Sequence, residues 1–217
     1  ALIGSVLAGA CWQQDMRGDA KALLAGRLDV IERGAGYVGV VCAYRTLAQM
    51  AVSEGDEKRA HAYLEAMAAV GEARGVVRLV VASLAERVRL HAARKRPVQA
   101  ATVLAELASV IEQSALTGLL APQIHLKLEM ASTYAAVAHG DHAGASAHLN
   151  EARGLATQLN RGYEIVQILA LEALLAERDG RSPDALLTEA LSRAEAGGLV
   201  RVFADTREEV WAEWRRL

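Results

Sequence analysis

Proline and aromatic residues are in short supply in this 217-residue chain: three prolines, a single phenylalanine and 4% aromatics overall. A chain so poor in helix breakers, and thin in the β-branched and aromatic residues that favour strands, does not read as a β-protein. Cysteine is nearly absent too. Cys11 and Cys42 form neither a disulfide framework nor a metal-ligand spacing, and both lie in apolar helical text, where cysteine behaves as a small hydrophobe. A reducing cytoplasm is the expected compartment. The formal net charge is −2, so no strong overall field recruits nucleic acid or an anionic membrane. The basic clusters Arg94-Lys95-Arg96 and Arg215-Arg216 are short and read as a solvated turn and tail. No stretch of 18 consecutive apolar residues occurs, and the opening ALIGSVLAGACWQQD lacks a basic segment, so neither a membrane span nor a leader is expected. There is no initiating Met, and the chain reads as a fragment of something longer.

What is present is helical text. Residues of the AVILMFWYC set make up 53% of the chain, much of it Ala and Leu, which lose little entropy in a helix. Five polar punctuations interrupt it: Arg17-Gly18-Asp19, Glu54-Gly55-Asp56, Arg94-Lys95-Arg96-Pro97, His139-Gly140-Asp141 and Asp179-Gly180-Arg181-Ser182-Pro183. Taking Gly18, Gly55, Lys95, Gly140 and Gly180 as equivalent, the spacings are 37, 40, 45 and 40 residues, a period that belongs to helix-turn-helix solenoids.

Positions not used to set this frame agree with it. Five residues after each anchor stand Leu23, Ala60, Ala100, Ala145 and Ala185; nine after stand Arg27, Leu64, Leu104, Leu149 and Glu189. Seven before stand Cys11, Ala48, Val88, Thr133 and Ala173. Small residues let paired helices approach, and the agreement fades at the ends, where repeats cap the stack.

Gly closes a first helix in a left-handed conformation, the following Asp caps the second, and Pro97 and Pro183 sit near second-helix starts. First helices are predicted at about 2–16, 37–54, 76–93, 122–138 and 163–178. Second helices follow at about 19–33, 56–74, 97–114, 141–160 and 183–196, with a last helix at about 205–216. Apolar residues recur at three-four spacing in Val40, Tyr44, Leu47, Ala48 and Ala51, and again in Ile124, Leu128, Ala131, Ala135 and Ala138. The expected fold is all-α: a right-handed α-α superhelix of about five tetratricopeptide-like repeats, forming a single domain over 1–217.

Several apparent motifs have plainer readings. Gly34-Ala-Gly36-Tyr-Val-Gly39 spells a dinucleotide fingerprint, but it follows the helical text LDVIER and no strand, so it reads as a glycine-rich inter-repeat loop. His139, His142 and His148 straddle a turn without acidic or thiol ligands at useful spacing, and read as surface histidines. His125 and Glu129, four apart on one helix, suit a side-chain pair. No phosphate loop, nucleophile elbow or H-E-x-x-H occurs, and no catalytic or metal residue is expected. Polar residues on first helices are the candidate site: Tyr44, Arg45, Glu86, Arg87, Glu129, Tyr134 and Glu172. Two readings compete for them. Arg and Glu so placed can pair to hold repeats together, or they can line a groove that reads a ligand or peptide, with Tyr and Arg as anchors.

The stretches Arg45–Asp56, Gly71-Glu-Ala-Arg-Gly75 and Glu86-Arg-Val-Arg-Leu90 resemble the sensor region of MalT-like, ATP-dependent LuxR-type transcriptional regulators. So does Ala190–Asp205, whose Gly-Leu-Val-Arg-Val-Phe-Ala-Asp (198–205) is the most specific piece. The likeness covers nearly the whole chain; it departs from the family's usual Asp-Glu-Gly after the Phe, with Asp205-Thr-Arg instead. The resemblance implies a sensing and oligomerisation region that binds a small-molecule inducer or regulatory protein and takes part in self-association. It also implies that ATP binds an N-terminal module, and that DNA is read by a C-terminal helix-turn-helix, both outside these residues. No cofactor is expected in the fragment itself, and no membrane partner. The other reading is a stand-alone tetratricopeptide scaffold that binds a peptide or protein in its concave groove.

Overall fold

The computed structural model describes residues 1–114 and 118–203. Among these there are eleven complete α-helices, one short 3-10 turn and a further helical stretch at 200–203, and no strand. The fold class is the expected one: all-α, built from helix-turn-helix repeats. The predicted last helix, with Trp211 and Trp214, lies outside the described residues, as does the basic pair Arg215-Arg216.

First helices are α1 (Leu2–Gln13), α4 (Tyr37–Ser53), α6 (Val77–Ala93), α8 (Ala121–His139) and α10 (Gly162–Arg178). Second helices are α2 (Arg17–Leu24), α5 (Glu57–Ala73), α7 (Pro97–Gln113), α9 (His142–Gln158) and α11 (Asp184–Gly197). The remaining helix, α3 (Leu28–Gly34), corrects the sequence reading. A continuous second helix was expected over 19–33, but the chain breaks at Ala25-Gly26-Arg27, where Gly26 takes φ +64°. A left-handed glycine ends a helix because the conformation costs it little.

A second correction concerns the repeat frame. The first hairpin turns at Asp15 (φ +60°), not at Gly18, which lies inside α2. Left-handed residues then fall at Asp15, Gly55, Lys95, Gly140 and Gly180, so that three spacings are 40 residues and one is 45. In this frame the first repeat joins the pattern. Ala8, Ala48, Val88, Thr133 and Ala173 are all buried in first helices, and Ala20, Ala60, Ala100 and Ala145 are fully buried in second helices. Ala185 is exposed instead, because Arg181-Ser182-Pro183 delay α11; Ala190 and Ala194 are its buried residues. Leu24, Leu64 and Leu149 pack one turn beyond the buried alanines.

The chain divides into two compact units, residues 1–87 and 88–217, with the division inside α6. In the first, α1 packs on α2, α3 and α4, and α4 packs in turn on α5. Cys11, Trp12, Ala20 and Met50 form a buried cluster there, flanked by Leu23 and Leu47. Arg74 at the end of α5 donates to the Glu32 and Ala35 carbonyls (3.2 and 3.0 Å), and Ser83 Oγ on α6 donates to the Leu64 carbonyl at 2.6 Å. In the second unit, α7 packs on α8, α8 on α9, α9 on α10 and α10 on α11. Asp56 and Asp141 cap α5 and α9 by accepting from the Arg59 and Gly144 amides, both at 2.9 Å. These are the caps the sequence proposed.

In Gly34-Ala-Gly36-Tyr-Val-Gly39, Gly34 closes α3, Ala35-Gly36 link it to α4, and Tyr37 to Gly39 form the first turn of α4. A Cβ on Gly39 would lie 2.8 Å from the Ala35 Cβ and 3.1 Å from Leu2 Cδ1, so this glycine serves helix contact.

Candidate functional site

The candidate residues all lie on first helices, Tyr44 and Arg45 on α4, Glu86 and Arg87 on α6, Glu129 and Tyr134 on α8, Glu172 on α10. Their surroundings differ. Tyr44 is only 1% exposed, and its hydroxyl donates to the Glu32 carboxylate on α3. Burial is the main cause that pushes its proton affinity far above that of an ordinary tyrosine, and the Glu32 hydrogen bond adds to it. Tyr134 is likewise buried. Arg45, Glu86 and Arg87 are half-buried. Arg45 and Glu86 are engaged in polar contacts, whereas Arg87 Nε is buried without a hydrogen-bond partner.

In the second unit, α9 supplies partners that the sequence reading did not name. Glu129, nearly buried on α8, accepts from His148 on α9 (Nδ1 to Oε2, 2.7 Å). On the other flank of α9, Arg153 Nη1 donates to Glu172 of α10 at 2.9 Å, while its Nη2 lies 3.7 Å from Glu189 of α11. Burial raises the proton affinity of Glu172; Arg153 opposes this, and Glu189 adds to it. One second helix thus offers a His and an Arg, five positions apart, to carboxylates on the two first helices beside it. In hairpin packing such residues face both neighbours, a relation that a single-helix pattern does not reveal.

The His125–Glu129 pair stands as expected, Nε2 to Oε1 at 3.1 Å, so Glu129 is bracketed by two imidazoles. His142 Nε2 lies 3.4 Å from Arg178 Nη1 across the turn and helix pair. Among the described residues no group of three His, Cys, Asp or Glu side chains is arranged to hold a metal ion. Arg94-Lys95-Arg96 is exposed at the turn before α7. No helix among the described residues is long and apolar enough to cross a membrane.

The segment that carries the most specific resemblance is part of the packing. Gly198 (φ +63°) ends α11, and Leu199, Val202 and Phe203 then join Val166, Leu169, Ala190 and Ala194 in one apolar cluster. Ala204 and Asp205 lie outside the described residues.

Chemically, these positions offer charged and hydrogen-bonding groups on rigid helices, most of them already joined in pairs. No protein family, no curated protein and no solved structure matches the chain.

Proposed function

We propose that this chain is a signal-receiving and oligomerisation region of a LuxR-type transcriptional regulator of the MalT-like kind, working in the cytoplasm. It takes a small-molecule inducer or regulatory protein on the polar positions of its first helices. ATP and DNA are handled by modules outside these residues. The observation that carries the reading is the 198–203 stretch: the residues of the resemblance follow α11 directly, with Leu199, Val202 and Phe203 packed on α10 and α11. The repeat architecture supports it, since within each unit consecutive hairpins carry polar first-helix side chains, the kind of surface on which repeat proteins bind partners.

The experiment is a melting-temperature series on the 217-residue chain with sugars, nucleotides and small metabolites. A ligand that prefers the folded chain raises Tm. A hit whose shift disappears in Arg45→Ala or Arg87→Ala supports the reading. Hits whose shifts survive both substitutions would place reception elsewhere and sink this assignment of residues.

A second reading, a stand-alone scaffold that binds a peptide, rests on the same half-buried Arg45, Glu86 and Arg87. It requires a reading frame of close to this length.

A further inference from the structure

Three of the second helices, α5, α7 and α9, run 17 residues. In the first hairpin, α2 stops after eight. The chain turns at Gly26 and leaves along α3, and the break lies beside Leu47 of α4 and Tyr63 of α5. A cleft of about 430 Å³ lies there, within the first unit. Leu24, Leu28 and Leu47 give it an apolar floor, Tyr63 of α5 forms a wall, and Lys21 and Asp29 stand among its lining residues. A volume of this order lies in the range of small-molecule sites, which pair an apolar body with a few polar groups.

The two charges are not equivalent. Asp29 is bonded within its own helix by Arg33, Nη2 to Oδ2 at 2.7 Å. Lys21 forms an exposed ion pair with the Glu54 carboxylate, 3.9 Å away and beyond hydrogen-bond distance. Glu54 is itself held by the guanidinium of Arg59. Both charges are thus ion-paired, but Asp29 is hydrogen-bonded to its partner and Lys21 is not, so the ammonium has donors to offer a ligand. An anionic head is favoured over a cationic one.

We propose that this cleft binds a small amphiphilic carboxylate, such as a medium-chain fatty acid or an arylalkanoate. Its body lies on Leu24, Leu28 and Leu47 beside the Tyr63 ring, and its carboxylate accepts from Lys21 Nζ. The site uses none of the polar first-helix positions, so it stands whether or not the regulator reading holds. The head-group contact is solvent-exposed, and most of the binding comes from the apolar body.

The test is a titration of the ¹⁵N-labelled 217-residue chain with sodium octanoate and sodium 4-phenylbutyrate, beside octanamide and octylammonium as controls, followed by amide shifts. The expected result is saturable shifts confined to the amides of residues 21–29, Leu47 and Tyr63, with one of the carboxylates saturating below about 10 mM. The amide and the amine bind at least about twofold more weakly. Lys21→Gln weakens the carboxylate about two- to fivefold, one exposed charged contact, with Tm unchanged. Ala25→Trp, at an exposed position on the mouth, fills the cleft and removes the shifts. The proposal is overturned if neither carboxylate saturates, or if the shifts lie elsewhere. It is equally overturned if octylammonium binds as well as octanoate, or if Lys21→Gln leaves affinity unchanged.

Discussion

Tyr44 of α4 donates its hydroxyl to the carboxylate of Glu32 on α3, twelve residues earlier in the chain. This bond ties the helix that follows the break in the first repeat to the first helix of the second. Replacing Tyr44 with Phe deletes the donor and leaves the ring. The expected cost is about 1–2 kcal/mol at neutral pH, read by urea denaturation.

The same bond sets an alkaline signature. Folding raises the proton affinity of Tyr44, through burial first and Glu32 second. A raised value means that its contribution is whole below the ordinary tyrosine range and is lost as pH climbs above about 10. Stability of the native chain should therefore fall more steeply above that pH than stability of Tyr44→Phe. In an ultraviolet titration, Tyr44 should resist ionisation until the chain unfolds, a late phase that Tyr44→Phe lacks. An equal alkaline slope in both proteins would count against the buried bond.

Glu172 gives the opposite lesson about charge. Its proton affinity is raised because burial outweighs the attraction of Arg153. Ionised Glu172 therefore costs stability at neutral pH, and that cost is relieved as pH falls into the ordinary glutamate range, about 4–5. Glu172→Gln should be as stable as the native chain at pH 7 or slightly more so, by less than about 1 kcal/mol. Arg153 retains Glu189 at 3.7 Å. The difference should close as pH falls, and denaturation curves at pH 7 and near pH 4 would show it. A variant less stable by 2 kcal/mol or more at pH 7 would mean that the pair binds the hairpins more strongly than burial opposes it.

Two mid-helix glycines should respond to alanine with opposite sign. A Cβ on Gly71 would stand 2.8 Å from the Leu79 Cβ and 3.1 Å from the Val76 carbonyl. Gly71→Ala should cost about 1–3 kcal/mol by overpacking α5 on α6, despite the better helix propensity of Ala. Gly154 in α9 has nothing within 4 Å of the same position. Gly154→Ala should stabilise by about 0.5–1 kcal/mol. Both are measured as shifts in the urea midpoint.

The helices were legible because their signals are local. Gly55, Gly140 and Gly180 take the left-handed turns, Asp56 and Asp141 cap the helices that follow, and Pro97 opens α7. The first repeat was misplaced by three residues because Gly18 is the obvious turn residue there, whereas Asp15 tolerates the same conformation. The break at Ala25-Gly26-Arg27 was masked by continuous apolar periodicity through Leu23, Leu24, Leu28 and Ile31. Of the candidate residues, the sequence placed each on its helix and found the His125–Glu129 pair. It could not tell that Tyr44 and Tyr134 point into the packing, or that His148 and Arg153 meet Glu129 and Glu172. Those relations depend on how one hairpin seats against the next, and hairpin seating is not written in the spacing along any one helix.

The central functional claim, that this is the receiving part of a larger regulator, is tested most directly by sequencing the reading frame on both sides of residues 1–217. The regulator account predicts a nucleotide-binding module encoded in frame before Ala1 and a DNA-binding helix-turn-helix after Leu217. A frame that begins and stops close to these residues, or continues into neither module, would contradict it and leave the scaffold reading in its place.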